Sequence, residues 1–422
     1  MNVLKRLQKS WNSLDTAERG CILLCFFFGI VLRLIWWADL PWGYDHVWMF
    51  KHARMIADGE GWSWLGMSSG AGPRNPGLGL WLFACIAFVA KTPVGMGIVV
   101  KVLNVVALWA AFLLQFHPRL SDSESTRWRW GILLMSVAPM PILYSRTLWA
   151  QDLVFPLAVL VIAGHLSRDR WWGAALWGIV GAGLGQVHMA GFFLAFALFV
   201  VTAVLDRLAG NKVNWWAWLW GSFVGALPMI PWLHYLLQGT SEGSTLTVGN
   251  IVKLRFLVYW LGDAFALTPY YIWLSDLSSW LREPIIFGNS TYLSGLSLIA
   301  MGAVALWTFA QLPVRLKNFQ RRLQQVAKRR TNAEVLEHYW LAILLGVFGL
   351  MTITGVAIFP HYLTVCYPFV HIWLAGNFAR CRHLFYGVLA VNCVISAVYL
   401  HRIHVGTIPD YEFRGSIYRL EE

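Results

Sequence analysis

Charge is what this chain has least of. Only 13% of its 422 residues are Asp, Glu, Lys or Arg, against about 25% in an average soluble domain. With 58% of residues hydrophobic, nothing is left over to build a separate soluble domain. Cysteine is also scarce. The six Cys (Cys21, Cys25, Cys85, Cys366, Cys381 and Cys393) lie in or beside apolar runs without ligand-like pairing, which indicates neither a disulfide framework nor a zinc site. No small-residue cleavage site follows the first apolar run, so it reads as a retained helix rather than a signal peptide. No internal repeat or low-complexity tract stands out.

What the chain does have is long apolar runs. Spans of roughly 20 residues can be drawn at 20–38, 94–116, 130–147, 150–167, 173–187, 189–205, 214–237, 286–311, 338–358, 361–377 and 383–401. The 26 Trp suit aromatic belts at both interfaces. A net charge of +12 invites a nucleic-acid reading, but the basic residues cluster in short loops. With Lys5, Arg6 and Lys9 in the cytoplasm and the spans alternating, most Lys and Arg fall inside, as the positive-inside rule requires. That scheme holds only if residues 76–92, although apolar, are re-entrant or lie along the membrane, which is allowed where protein covers them. The pattern therefore predicts an all-α polytopic integral membrane protein with 11 spans and no separate soluble domain. Its N-terminus lies inside and its C-terminus outside. The long outer segments are 39–93 and 239–285, with an outer tail at 402–422 and a basic cytoplasmic loop at 312–337. Asn289-Ser290-Thr291 matches a glycosylation acceptor pattern but abuts a span.

Two acids stand out, because carboxylates at a membrane surface are costly and tend to be functional. Asp45 follows Trp42-Gly43-Tyr44 at the head of an amphipathic pattern running to Asp58. There Asp45, Trp48, Met49 and His52 share one face, and Lys51, Arg54 and Asp58 another. Asp45 suits an N-cap or a general base that deprotonates an acceptor hydroxyl. Asp152 suits a first-turn acid stabilised by the helix dipole, and the topology puts it on the same face as Asp45. Gly72-Pro73-Arg74-Asn75-Pro76 is a rigid turn presenting a guanidinium, which can grip phosphate in bidentate fashion or snorkel to the interface. Lys101 has the same two readings, and Arg33 reads as snorkelling. Gln186-Val187-His188 and Phe359-Pro360-His361-Tyr362 bring two imidazoles to outer turns. Neither has metal-ligand spacing, and His46 stands where a second acid would strengthen a divalent-cation site, so a cation is possible but not indicated. The aromatic stretches around Tyr259-Trp260, Pro269–Trp273 and Leu277–Trp280 suit the interface. The Arg315–Arg330 run suits a cytoplasmic face near anionic headgroups.

Taken in order, these elements resemble the GT-C superfamily of membrane glycosyltransferases, in particular the branch with protein O-mannosyltransferases and lipid A aminoarabinose transferases. The likeness covers roughly residues 20–205 and 338–378. It rests on an early outer-loop Asp (Asp45) before a helix with Ala53-Arg54, and on a Pro-rich turn leading into an apolar stretch, together Pro73–Leu82. It continues with a basic residue in the next span (Lys101), Ser145-Arg146 followed by Asp152, the Gly-rich helix ending at His188, and His361-Tyr362 with Tyr367-Pro368. The resemblance implies a polyprenyl-phosphate-linked sugar donor, inverting transfer and no required cofactor. Asp45 would be the catalytic base, and Asp152, also catalytic, would orient the acceptor or share proton handling. Arg74, Lys101 and Arg146 would meet the donor phosphate, and His46, Asn75, His188, His361 and Tyr362 would make further substrate contacts. The acceptor would be a lipid, glycan or protein. The neighbouring second acid and the C-terminal soluble domain of many relatives are missing. Two other classes compete: a transporter or flippase for lipid-linked or anionic substrates, and a non-catalytic scaffold with the same fold. Brief loops and the lack of a retention signal point to a bacterial inner membrane, with the site facing the periplasm.

Overall fold

The computed structural model describes residues 8, 11–68, 73–239, 254–269, 277–328, 333–378 and 381–405. The aromatic stretch Tyr270–Trp273, residue Gly72, the basic residues Arg329 and Arg330 and most of the 402–422 tail lie outside them. The described chain is mostly helical. Helix α1 (Thr16–Leu34) begins where Asp15 and Glu18 satisfy each other's backbone N–H groups. It is followed by α2 (Tyr44–Ala57), a two-stranded antiparallel ribbon of β1 (Leu65–Ser68) and β2 (Arg74–Pro76), and α3 (Leu78–Val89). Next come α4 (Pro93–Leu113), α5 (Asp122–Val137) and the short α6 (Pro139–Leu143). A 3-10 turn at Ala150–Leu153 leads into α7 (Val154–Leu166), then α8 (Trp171–Val187), α9 (Ala190–Ala209), α10 (Trp215–Ala226) and α11 (Ile230–Leu237). The remaining elements are α12 (Arg255–Ala264), α13 (Leu277–Arg282), the hairpin β3 (Ile285–Ile286) and β4 (Asn289–Ser290), and α14 (Leu293–Ala327). They are followed by α15 (Val335–Ala342, continuing through a π-helical stretch to Ile353), α16 (Phe369–Ala375) and α17 (Arg382–His404).

Five helices among the described residues are long and apolar enough to cross a membrane: Pro93–Phe116, Ala190–Ala209, Leu293–Ala327, Val335–Ile353 and Arg382–His404. They overlap the expected spans 94–116, 189–205, 286–311, 338–358 and 383–401. Helix α3 rises only about 18 Å, short of the roughly 30 Å hydrocarbon core.

Several expected boundaries move. The run 286–311 begins in the β3–β4 hairpin, and α14 starts only at Leu293 but continues to Ala327. The run 214–237 is broken by a 3-10 turn at Leu227–Met229, because Pro228 and Pro231 lack the N–H that a continuous helix needs. The run 361–377 divides into a 3-10 segment, Pro360–Cys366, and α16. The run 130–147 starts earlier, at Asp122, behind a Ser121–Glu124 capping box, and stops before Pro139.

Helices α8 and α10 touch backbone to backbone through small residues, the packing expected where apolar burial gives no drive between helices. A methyl group at Gly178 would lie 2.3 Å from the Trp218 carbonyl oxygen, and one at Gly221 2.3 Å from that of Ala175. Helix ends gather in two groups. At one, Arg168 grips Asp206 with two hydrogen bonds (2.5 and 2.8 Å), and Arg127 and Arg322 meet Glu334 at 2.7 and 3.1 Å. At the other, Asp39 after α1 pairs with His404 at the end of α17 (2.8 Å), and Arg402 donates to Ser279 at 3.1 Å. The candidate site belongs to this second end.

Candidate functional site

Asp45 sits in the first turn of α2, but it does not cap it. Gly43 is the N-cap, and its N–H donates to Nδ1 of His46 at 3.2 Å. The capping task falls to His46, and the Asp45 carboxylate has no hydrogen-bond partner among the described residues. Its half-burial, with nothing to stabilise the anion, raises its pKa above the usual carboxylate value. Asp45 and Met49, one turn apart, both face a cavity of about 370 Å³. Burial pushes His46 down to about 4, so its imidazole is neutral, and it packs behind the cavity wall against Trp149 (centroids 6.0 Å apart).

Segments far apart in the chain line that cavity. The ribbon contributes Gly66, Met67, Ser68, Asn75 and Pro76, α3 contributes Gly79 and Leu80, and the turn after α6 contributes Tyr144. The 3-10 turn adds Trp149, Ala150 and Gln151, and the α8–α9 turn adds Val187, His188 and Met189. Phe359, Pro360, His361 and Tyr362 complete the lining. The ribbon is pinned in place: Trp81 Nε1 donates to the Ser63 carbonyl (2.8 Å), Asn75 Nδ2 to that of Met67 (3.0 Å) and Trp232 Nε1 to that of Arg74 (2.7 Å).

Asp152 lies behind the wall, fully buried. Its Oδ2 accepts from the Thr147 hydroxyl and from the Trp149 N–H (2.8 Å), and Asn104 Nδ2 donates to its carbonyl (2.9 Å). The carboxylate thus closes the turn that presents Trp149 to the cavity. The two histidines converge. His188 and His361 stand edge to face with centroids 5.7 Å apart, Tyr362 lies 4.7 Å from His188, and Trp149 lies 4.6 Å from His361. Of the ten residues singled out from the sequence, Asp45, Asn75, His188, His361 and Tyr362 share this lining.

The expected phosphate-binding cations are placed differently. Arg74 donates through Nε to the Gly66 carbonyl (3.1 Å) and is not part of the lining. Arg146 donates to the carbonyls of Leu32 (2.8 Å), Arg33 (2.9 Å) and Trp36 (3.1 Å), and Lys101 to that of Trp37 (3.2 Å). Both are buried; Arg146 satisfies orphan carbonyls at the C-terminal end of α1, where cations are favoured, and Lys101 holds the loop just beyond it. Arg33, read as snorkelling, is buried and donates to the carbonyls of Gly29 (2.9 Å) and Ser136 (2.7 Å). Among the described residues, the cavity lining holds no Lys or Arg.

The arrangement offers one open carboxylate, two imidazoles, two side-chain amides (Asn75 and Gln151) and a rim of aromatic rings. Such a set can accept a proton from a hydroxyl, donate hydrogen bonds to an oxyanion and stack on a sugar ring. Among the described residues no three His, Cys, Asp or Glu side chains form a metal-ligating group. Sequence reasoning passed over Trp149, Gln151 and Tyr144. The signal was present, since Trp149 and Gln151 lie within the Arg146–Asp152 element and Tyr144 just before it, but nothing in the sequence says which side chains of a turn face inward. Comparison of the chain with protein-family models, curated proteins and solved structures gives no match.

Proposed function

We propose that this chain is a membrane glycosyltransferase that moves a sugar from a polyprenyl-phosphate donor to a hydroxyl on a lipid, glycan or protein acceptor. The observation that carries this reading is the Asp45 carboxylate, unpaired in a cavity shared with His188, His361, Tyr362 and Trp149. In this reading Asp45 takes the acceptor proton as the sugar's anomeric carbon passes, with inversion, from the phosphate oxygen to the acceptor oxygen. Negative charge then grows on the departing phosphate, where hydrogen-bond donors lower the barrier. With no Lys or Arg among the described lining residues, His188, His361 and the side-chain amides take that role. Trp149, Tyr144 and Tyr362 offer faces for the sugar. Asp152 is a positioning residue that holds Trp149. The mechanism needs no metal, and it works at a membrane surface because the donor's lipid stays in the bilayer. The resemblance to the GT-C superfamily in the sequence supports the same reading, with the site on the outer face of a bacterial inner membrane.

The test is direct. Membranes with and without the chain receive a labelled polyprenyl-phosphate sugar, and both the labelled product and the freed polyprenyl phosphate are followed. Label moving to a new lipid, glycan or protein only when the chain is present supports transfer. Label that stays on the donor while the donor changes leaflet would mark a flippase instead.

A further inference from the structure

Helix α14 changes character along its length while keeping one face turned outward. From Leu293 to Leu312 it carries no charged residue, about 30 Å of helix, which matches the thickness of a hydrocarbon core. Beyond Pro313 it gains Arg315, Lys317, Arg321 and Arg322, with Lys328 just after its last turn and no acid anywhere along it. These cations divide in two. Arg322 turns inward to Glu334 (3.1 Å) and to Glu337, and Arg315 donates to Gln311 (3.1 Å) and to the Gly376 carbonyl (3.4 Å). Lys317, Arg321 and Lys328 are exposed, and none has an acidic partner among the described residues.

The azimuth of those three decides what they meet. At about 100° per residue, Lys317, Arg321 and Lys328 fall within about 40° of one another. Ile299 and Leu306, which are 70% and 73% exposed, fall on the same line. An apolar face exposed within the hydrocarbon thickness is a face toward lipid tails. Its continuation past Pro313 leaves that thickness: Lys317 and Arg321 lie about 8 and 14 Å beyond Leu312, within side-chain reach of the headgroups of the same leaflet, whereas Lys328 lies about 24 Å beyond it, outside the headgroup layer. We propose that Lys317 and Arg321 form a docking stripe for anionic phospholipid headgroups. The stripe is separate from the cavity around Asp45, and the inference does not depend on the activity of that cavity.

The full chain is reconstituted in phosphatidylcholine vesicles with trace spin-labelled phosphatidylglycerol or spin-labelled phosphatidylcholine, and the motionally restricted fraction of each label is measured. The wild type is expected to restrict phosphatidylglycerol more than about twofold over phosphatidylcholine, with the preference fading toward 1 M salt, as for exposed charges. The K317Q/R321Q variant is expected to lose most of that preference at unchanged thermal stability, whereas K328Q and K51Q/K91Q, which remove exposed cations elsewhere, keep it. Equal restriction of both lipids by the wild type overturns the proposal in favour of an acidic macromolecule as the stripe's partner. So does a preference that survives the K317Q/R321Q double substitution or high salt.

Discussion

The backbone N–H of Trp149 donates to Oδ2 of Asp152 at 2.8 Å, and through that bond a buried acid shapes a cavity it does not line. The two aspartates thus do different work. Asp152 is enclosed and bonded, whereas Asp45 is half-buried and unpaired. Asp152→Ala strands the Thr147 hydroxyl and the Trp149 N–H, each buried donor costing about 1–3 kcal/mol. Thermal unfolding in detergent should therefore show a clear drop in Tm, with transfer falling in parallel, and Asp152→Asn, which keeps one acceptor oxygen, should lose less of both. A stable but inactive Asp152→Ala protein would instead give Asp152 a direct part in proton transfer.

Asp45 sets the pH dependence. Its pKa is raised by burial, so the fraction in the basic form falls as pH drops, starting above the range of an ordinary carboxylate. Transfer is expected to decline on the acid side along a limb displaced upward from the usual value of about 4. The stability sign is opposite to that of a salt-bridged acid: a raised folded pKa means that ionised Asp45 weakens the fold at neutral pH. Asp45→Asn should consequently unfold at the same temperature as the wild type or higher. A pH–rate profile together with thermal unfolding of both proteins checks the two statements.

Arg146 is the clearest test of where the cations act. Arg146→Gln removes charged donors from the carbonyls of Leu32, Arg33 and Trp36, hydrogen bonds of a kind worth about 1.5–3 kcal/mol each when a charged group is involved. Stability should fall, with little change in the donor KM of the surviving protein. An unchanged Tm with a large rise in donor KM would place the guanidinium on the donor phosphate.

At the opposite end, Arg168 and Asp206 form a buried pair, joined by His338 at 3.4 Å and by Asn211 at 2.9 Å. Arg168→Gln leaves Asp206 buried without its cation, a loss of about 3–5 kcal/mol. The measurement is the rate of irreversible thermal inactivation, which should rise steeply. Replacing both members with apolar residues of similar volume should recover part of the loss.

The helical, membrane-spanning character was legible because apolar runs and sparse charge dictate it, and the first-turn position of Asp45 followed from its pattern. Helix ends were less legible. Hydropathy marks the part of a helix that suits hydrocarbon, so α5 and α14, which extend into polar sequence, were cut short. Pro228 and Pro368 divided two expected spans where apolar composition alone suggested continuity. The meeting of His188 with His361 rests on non-local packing, although their placement on one face could be read from the topology. The cations were harder. An Arg near a membrane surface looks the same in sequence whether it meets a phosphate or the carbonyls at a helix end. Only the position of the α1 C-terminus separates those roles for Arg146 and Lys101.

The central claim is that Asp45 is the base in a sugar transfer. Purified wild-type and Asp45→Asn proteins, matched for folded amount by thermal unfolding, are supplied with labelled polyprenyl-phosphate sugar and an acceptor extract from the native membrane. Loss of label transfer by at least about a hundredfold in Asp45→Asn, the low end of what a positioned base contributes, is the expected result. Transfer at the wild-type rate by Asp45→Asn would contradict it.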